Sequence, residues 1–323
     1  MTAPDYSTTR CLTDEKPTCF DGPVDDMPAL LKTPDSERKI SEGGLRLQEQ
    51  FKTSSDEKPL ITVVTVVYNG AEFLEDTIKS VIEQGYNNVE YIIVDGGSTD
   101  STLDIIRKYE HAIDYWVSEP DGGIYDAMNK GLKLASGSII GMLNADDFLE
   151  KDATERIVKS FDGGVDYVYS EVKILDLKGN ITSVKQVEEP LEMALPYRMP
   201  FGHQSLYVHR TTINDVGLYD TRYRLSADLD FVCRIVESKK TGLRVPGVLA
   251  SFRAGGASGG LKTFLETRRI AVQYGMQPLV SWLRLGESLM KMSVHRALPL
   301  PVSKWLRQLI GSSYKLPDDR NIG

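Results

Sequence analysis

Where the apolar runs of this chain end, oxygen ligands collect: Asn69 in VVYNG, Asp95 in VDGGSTD, Asp121 in EPDGG, and Asn144, Asp146 and Asp147 in SIIGMLNADD. Polar residues at strand ends are ordinary turn formers, so any one of them alone says little. Together they crowd carboxylates that repel one another unless protonated or neutralised. Hard oxygen ligands suit Mg²⁺ or Mn²⁺, and those ions suit a substrate that carries phosphates. The phosphate sites built from glycine-rich backbone are missing: VVYNGAEF and VDGGSTDS both lack G-x-G-x-x-G spacing, and no Walker lysine occurs. The chemistry expected of this rim is a metal–diphosphate site assisted by scattered basic residues.

The elements that must hold the rim are legible. LITVVTVVYN is a continuous β-branched run of the kind buried on both faces of a parallel sheet. Phe73, Leu74, Ile78, Val81 and Ile82 then recur at helical spacing, and VEYIIVD supplies a second strand, which completes a βαβ unit. STDSTLDIIRKY reads as a helix, IDYWVSE as a strand, IYDAMNKGLKLA as a helix with Ile124, Met128, Leu132 and Ala135 on one face, and SIIGML as a strand. This alternation predicts a doubly wound α/β sheet, in which ligands bind beyond the carboxyl ends of the strands. After about residue 160 the strands VDYVYSEVKIL, NITSVKQV, QSLYVHR and LRVPGVLASFRAGG, with a helix at ADLDFVCRIVES, predict a mixed or antiparallel addition.

Composition sets the remaining bounds. The 323 residues carry a formal charge of −8, which argues against general nucleic-acid binding. Three cysteines, Cys11, Cys19 and Cys233, form a sparse odd set that suits a reducing compartment, and Cys233 lies among apolar residues where it reads as core. No secretory signal and no run of 18 apolar residues is present, so a cytoplasmic location is expected. Residues 1–58, rich in Asp, Glu, Pro, Ser and Thr, read as a flexible or loosely docked extension without chemistry, with order beginning at Leu60. His111, His209 and His295 have no metal-site spacing and read as surface or locally paired.

TVVYNGAEFLEDTIKSVIEQGYNNVEYIIVDGGSTDSTLDIIRKY, SEPDGGIYDAMNKGLKLASGSIIGMLNADDFLEKDA, HQSLYVHR, SADLDFVCRI and FRAGGAS, in that order across roughly residues 60–260, resemble a family 2 glycosyltransferase with the GT-A fold. The resemblance implies inverting transfer of a sugar from a nucleotide-activated donor, usually a UDP-sugar, to an acceptor hydroxyl. It implies a donor site of Val67, Tyr68, Asn69, Asp95, Asp121, Asn129, Asn144 and Asp146, with Tyr68, Asn69 and Asp95 at the nucleobase. Asp146 and Asp147 stand in the family's metal and ribose motif, here beginning with Asn144 where many relatives have Asp, and the direct Mn²⁺ or Mg²⁺ ligand is taken as Asp147, with Asp146 as the alternative. Inversion needs one base to take the acceptor proton. By position that base is Asp228, with Asp230 as the alternative; the two cannot point the same way at a helix start. Arg253, placed in a mobile glycine loop, is expected to meet the diphosphate, and His203 and Gln204 to face the donor sugar or acceptor.

The division expected is an extension over 1–58, a GT-A domain over 59–260 made of a nucleotide half (59–150) and an acceptor half (151–260), and a helical extension over 261–323. Between Lys262 and Lys315 nine Lys or Arg stand against two Glu, interleaved with apolar residues. That pattern suits an amphipathic surface on an anionic membrane, the inner face of the cell envelope, or packing on the catalytic domain or a second subunit. The acceptor implied is a glycan or a lipid-linked glycan in surface polysaccharide assembly. Two other functions fit parts of the pattern: a nucleotide-sugar-binding protein without turnover, and a nucleotidyltransferase, which would need basic residues that VVYNGAEF lacks.

Overall fold

The computed structural model describes residues 5–17, 29–255, 261–284 and 286, and the backbone of 314–315. Its elements alternate as the sequence predicts. After a short edge strand β1 (Ser41–Gly43) come β2 (Ile61–Val67), α1 (Leu74–Ile82), β3 (Val89–Asp95), α2 (Thr102–Lys108), β4 (Tyr115–Ser118), α3 (Ile124–Leu134) and β5 (Ile139–Asn144). The second half holds β6 (Phe148–Leu149), α4 (Ala153–Lys159), β7 (Tyr167–Leu175), β8 (Ile181–Lys185), α5 (Leu191–Ala194), β9 (Tyr207–His209), α6 (Arg210–Val216), α7 (Ala227–Glu237), β10 (Gly242–Arg253), α8 (Leu261–Gln273) and β11 (Tyr314–Lys315).

All of these strands belong to one sheet with the path β1-β4-β3-β2-β5-β9-β7-β10-β6; off it, β8 pairs with β7 and β11 with β8. Strands β4, β3, β2 and β5 are parallel, whereas β9 runs antiparallel to both β5 and β7. The register sets Asp95 beside Val67 and Ser118, and Asn144 beside Val66, so the polar strand ends share one rim. Every residue of β2 and β3 is buried, which accounts for their unbroken apolar runs. Helix α3 lies close on that sheet: a Cβ at Gly131 would come within 2.2 Å of Val64 Cγ1. On this helix Met128 and Leu132 are buried as expected, but Ile124 is 42% exposed because it is the first helical residue, and Tyr125 turns inward instead.

The N-terminal segment departs from expectation. Strand β1 extends the sheet antiparallel to β4, pairing Ser41 with Ser118 and Gly43 with Trp116. Ser7 donates its amide to the Ile82 carbonyl at 2.8 Å. Beneath the sheet, the Arg46 guanidinium meets Glu90 at 2.7 Å and Lys52 pairs with Asp114, all four side chains being buried. Residues 5–17 and 29–58 are thus docked parts of the fold. A composition rule misses this because it scores charged residues as solvated, while here the charges are buried as ion pairs.

Burial alone would raise the Glu90 pKa, but Arg46 and hydrogen bonds from Ser136 and Thr62 hold it down at about 2. A carboxylate depressed by folding stabilises above its unfolded value and loses that contribution as pH falls through the folded one. Thermal unfolding followed by circular dichroism should therefore show a steep loss of stability between about pH 4.5 and 2. Glu90→Gln, already destabilised at neutral pH because buried Arg46 loses its carboxylate partner, should lose less across that window. An equal slope would show that Glu90 does not carry the acid sensitivity.

The second half continues the same sheet instead of forming a separate layer. The two cores, one on each sheet face, both draw residues from before and after residue 150. The basic C-terminal stretch is described only for residues 261–284, with α8 and the helical turns at 278–284, for residue 286, and for the β11 backbone, which pairs with β8. The remainder of 262–315, Trp305 and His295 included, lies outside the described residues, as does Cys19. Cys233 is core, with burial pushing its thiol up to about 12. His111 packs its ring tilted against Tyr6, and His209 accepts from the Thr211 amide as the cap of α6.

Candidate active site

The rim divides into residues that face outward and residues whose polar atoms are consumed by the fold. Val67 is buried at the end of β2, and its carbonyl accepts from the Gly96 amide at 2.8 Å, which ties the ends of β2 and β3 together. Tyr68 next to it is 66% exposed. Asn69 adopts a left-handed conformation with φ 51° and accepts from the Thr99 amide at 2.8 Å, so the loop after β2 is clasped to the loop after β3. Asp95 is fully buried and accepts from the Gly97 and Ser98 amides and from the Ser118 hydroxyl at 3.1, 3.0 and 2.6 Å, besides the Ser98 hydroxyl. It shapes the loop rather than facing open space.

Asp121 accepts from the Gly123 amide at 2.8 Å, and its other oxygen lies 2.6 Å from where a Gly96 Cβ would stand, so the loops after β3 and β4 meet there. Burial, then the neighbouring Asp126 and Asp95, raise its pKa against the pull of the Gly123 amide and Lys130. Asn129 is not on this rim. Its amide donates to the Tyr219 carbonyl and accepts from the Tyr219 amide, both at 2.9 Å, which pins α3 to the segment before α7. The resemblance that made Asn129 a candidate could not show that its partner is backbone 90 residues away.

The Asn-Ala-Asp-Asp turn separates its two carboxylates. Asp147 points inward: it is fully buried, and its oxygens accept from Gln204 Nε2 at 2.8 Å and from the Arg253 amide at 3.1 Å. Burial and the adjacent Asp146 push its pKa well above the usual range. Gln204, itself buried, is consumed in holding Asp147 and does not face a sugar. Asp146 is partly exposed; burial raises its pKa, with Arg253 and His203 opposing. Asn144 Oδ1 is buried without a partner. Arg253 is the last residue of β10, not a loop residue, and is buried. Its Nη1 donates to the Asp146 carbonyl at 2.9 Å, its Nη2 meets Asp76 at 3.2 Å, and its guanidinium lies 4.4 Å from the Phe73 ring. Nothing local in FRAGG signals that aromatic seat.

Across from this turn stands Asp228, the second residue of α7 and partly exposed. A helix N-terminus favours a carboxylate there. Tyr125 donates to its Oδ1 at 3.0 Å, and His203 Nδ1 lies 3.9 Å from its Oδ2. The far nitrogen of His203 is 3.3 Å from Asn144 Nδ2. With the amide as donor, that nitrogen is the acceptor and the ring proton sits on Nδ1, toward Asp228. Burial lowers the His203 pKa, with Asp228 opposing, so the ring is neutral at pH 7. Asp230 is fully engaged: Arg234 donates to it at 2.9 Å and Tyr274 at 3.1 Å.

A chain of polar groups therefore runs from the end of β5 through Asn144 and His203 to Asp228 and Tyr125. Tyr125 was not anticipated; its neighbour Ile124 drew the apolar face of α3. Among the described residues no three His, Cys, Asp or Glu cluster as a complete metal shell. The donors present, the Asp146 carboxylate and the unpartnered Asn144 oxygen, are hard oxygens that fit a cation completed by phosphate and water.

Residues 62–220 match the family model described as Glycosyl transferase family 2. A Mycobacterium tuberculosis protein named an uncharacterized glycosyltransferase is 31% identical over 186 residues, which is 54% of this chain and 68% of the relative. The fold is similar to that of Staphylococcus aureus TarS 1-349 solved with UDP-GlcNAc, at TM-score 0.52 and 18% identity over 71% of each chain. It is also similar to the Pyrobaculum calidifontis mannosyltransferase PcManGT solved with GDP-Man and Mn²⁺, at TM-score 0.53 and 19% identity, covering 79% of this chain and 80% of that one. The matched stretch begins on the first strand of the rim and extends past the Asn-Ala-Asp-Asp turn and His203, and the sheet is that of GT-A glycosyltransferases; the chain belongs to glycosyltransferase family 2.

Proposed function

We propose that the protein is a metal-dependent inverting glycosyltransferase that moves a sugar from a UDP-sugar to a hydroxyl of a glycan or lipid-linked acceptor in surface polysaccharide assembly, with Asp228 as the base. The observation that carries this is the one partly exposed, outward carboxylate at the start of α7, oriented by Tyr125 and joined through His203 to the donor edge at Asn144. Asp230 cannot serve, since both its oxygens are bound to Arg234 and Tyr274. The UDP-GlcNAc and GDP-Man named for the two solved relatives support a nucleotide-sugar donor.

In this mechanism the loops after β2 and β3, with Tyr68 and Asn69 outermost, receive the nucleobase. Asp121 stands beside them at half-buried depth, and Asp95 keeps the loops in shape. Asp228 accepts the proton of the acceptor hydroxyl as its oxygen bonds to the anomeric carbon. The bond from that carbon to the diphosphate oxygen breaks, and UDP leaves with the electron pair. Asp146 and the Asn144 oxygen would hold Mn²⁺ or Mg²⁺, which when bound offsets the diphosphate charge. Arg253 supports Asp146 through its carbonyl and adds positive charge beneath the turn. Such an enzyme is expected in the cytoplasm, touching the inner membrane surface or a second subunit through its basic C-terminal stretch. Among the described residues no helix is long and apolar enough to cross a membrane.

Thermal shift with UDP-sugars and GDP-mannose, with and without Mn²⁺, tests the donor assignment, because a ligand bound only by the native state raises stability. A UDP-sugar should raise the midpoint most, and mainly with Mn²⁺ present. Asp146→Ala should lose the Mn²⁺-dependent part of the shift. Asp147→Asn should keep it, since Asp147 faces Gln204 and Arg253. The reverse pattern would give the metal to Asp147, and no shift with any nucleotide sugar would remove the donor reading.

A further inference from the structure

Helix α8 lies beyond the matched stretch 62–220, in the basic part of the chain that reads from sequence as a membrane or subunit contact. The structure docks it on the helix of the proposed base. Ile270 is buried in the core, the Tyr223 hydroxyl donates to Gln273 at 2.8 Å, and the Tyr274 hydroxyl, just past the helix, donates to Asp230 at 3.1 Å. One contact is of another kind. The two oxygens of Glu266 accept from two successive backbone amides, Arg224 at 3.0 Å and Leu225 at 2.7 Å. Among the described residues no backbone carbonyl accepts from either amide; the Tyr223 amide closes a turn on Asp220, and α7 begins only at Ala227.

Amides that donate to a carboxylate make charge-assisted hydrogen bonds, which are stronger than neutral ones. The backbone held in this way leads to the site in two directions. The Arg224 guanidinium reaches the Gly122 carbonyl at 3.3 Å, in the loop that carries Asp121, and Asp228 follows Leu225 by three residues. The cap of α7 adds no hold of its own: Ser226 makes no side-chain bond to the helix and turns its hydroxyl to the Thr263 carbonyl of α8, at 3.5 Å. The start of α7 is therefore held from α8 rather than capped from within. We infer that Glu266 is a positioning residue for sugar transfer, fixing the 224–225 backbone so that Asp228 meets the acceptor hydroxyl. This rests on the reading of Asp228 as the base, through which Glu266 acts. Its effect falls on the chemical step, because a displacement of about 1 Å at a reacting group can cost about a hundredfold in rate.

The experiment is single-turnover UDP release by the full chain with Mn²⁺ and a panel of UDP-sugars. It compares wild type, Glu266→Ala, Glu266→Gln and Asp228→Asn, and each Glu266 variant combined with Asp228→Asn. Glu266→Ala should lose about tenfold or more in rate per folded molecule, with the Kd for UDP within about twofold of wild type. Glu266→Gln, which keeps one acceptor oxygen, should lose less. In the Asp228→Asn background the same Glu266→Ala change should cost less than about twofold, since the group it positions is already gone. If α8 only stabilised the fold, Glu266→Ala would lower the unfolding midpoint and leave the rate per folded molecule unchanged, or would lower the rate by one factor in both backgrounds; either result overturns the inference. Should Glu266→Ala not fold, Glu266→Gln carries the same comparison. No UDP release by wild type, or full release by Asp228→Asn, sinks the proposed function and this inference with it. Release that depends on Asp228 but is indifferent to Glu266 sinks this inference alone.

Discussion

Asp228→Asn is expected to lower the rate of sugar transfer by a factor of about 10² to 10⁴, the range that a positioned base contributes. UDP affinity should stay within about threefold of wild type, because no donor-side residue is altered. The substitution is nearly isosteric, and Tyr125 can still donate to the remaining oxygen, so the fold should persist. Asp230→Asn makes the informative contrast. Asp230 is buried against Arg234, which also donates to the carbonyls of Val216, Gly217 and Leu218, so its loss should appear as reduced stability. The folded fraction of Asp230→Asn should still transfer. Single-turnover kinetics beside thermal unfolding separates these outcomes, and full transfer by Asp228→Asn would move the base elsewhere.

The second large effect lies far from the chemistry. Lys52→Met should destabilise the protein by about 3 to 5 kcal/mol, the usual cost of leaving a buried charge unpaired. Lys52 and Asp114 are both buried, and Asp114 also accepts from the Tyr91 amide at 2.8 Å, so it cannot turn to solvent. Burial, with the nearby Glu90 charge, already raises its pKa despite Lys52. Adding Asp114→Asn to Lys52→Met should restore much of the loss, because the asparagine oxygen can keep the Tyr91 bond without a charge. Urea unfolding of the single and double variants measures this. If Lys52→Met is neutral, the N-terminal segment is not held by this pair, and the sheet should tolerate removal of residues 1–58.

The contrast between these two sites shows what a sequence makes legible. The parallel strands were readable because β2 and β3 are buried on both faces and admit little but β-branched and aromatic residues. The rim was readable because strand ends in such a sheet converge, whatever their loops do. Which carboxylate faces outward was not readable: Asp146 and Asp147 are adjacent, and their directions are decided by Gln204 and Arg253, more than 50 residues further along. The matched motifs mark Asn129 and Gln204 as ligand contacts, but their amides bond to Tyr219 and Asp147, far away in sequence. Lys52 and Arg46 read as part of a flexible or loosely docked extension because nothing local in the sequence reveals the acidic partners, Asp114 and Glu90, that allow their burial.

The most direct test of the proposed chemistry is nucleotide release by purified protein supplied with UDP-sugars, measured with Mn²⁺ and again after EDTA, for wild type and Asp228→Asn side by side. Turnover of a UDP-sugar that stops on chelation and falls by at least about a hundredfold in Asp228→Asn, with UDP still bound, is the predicted result. Release that continues unchanged in EDTA, or at the wild-type rate in Asp228→Asn, would contradict it.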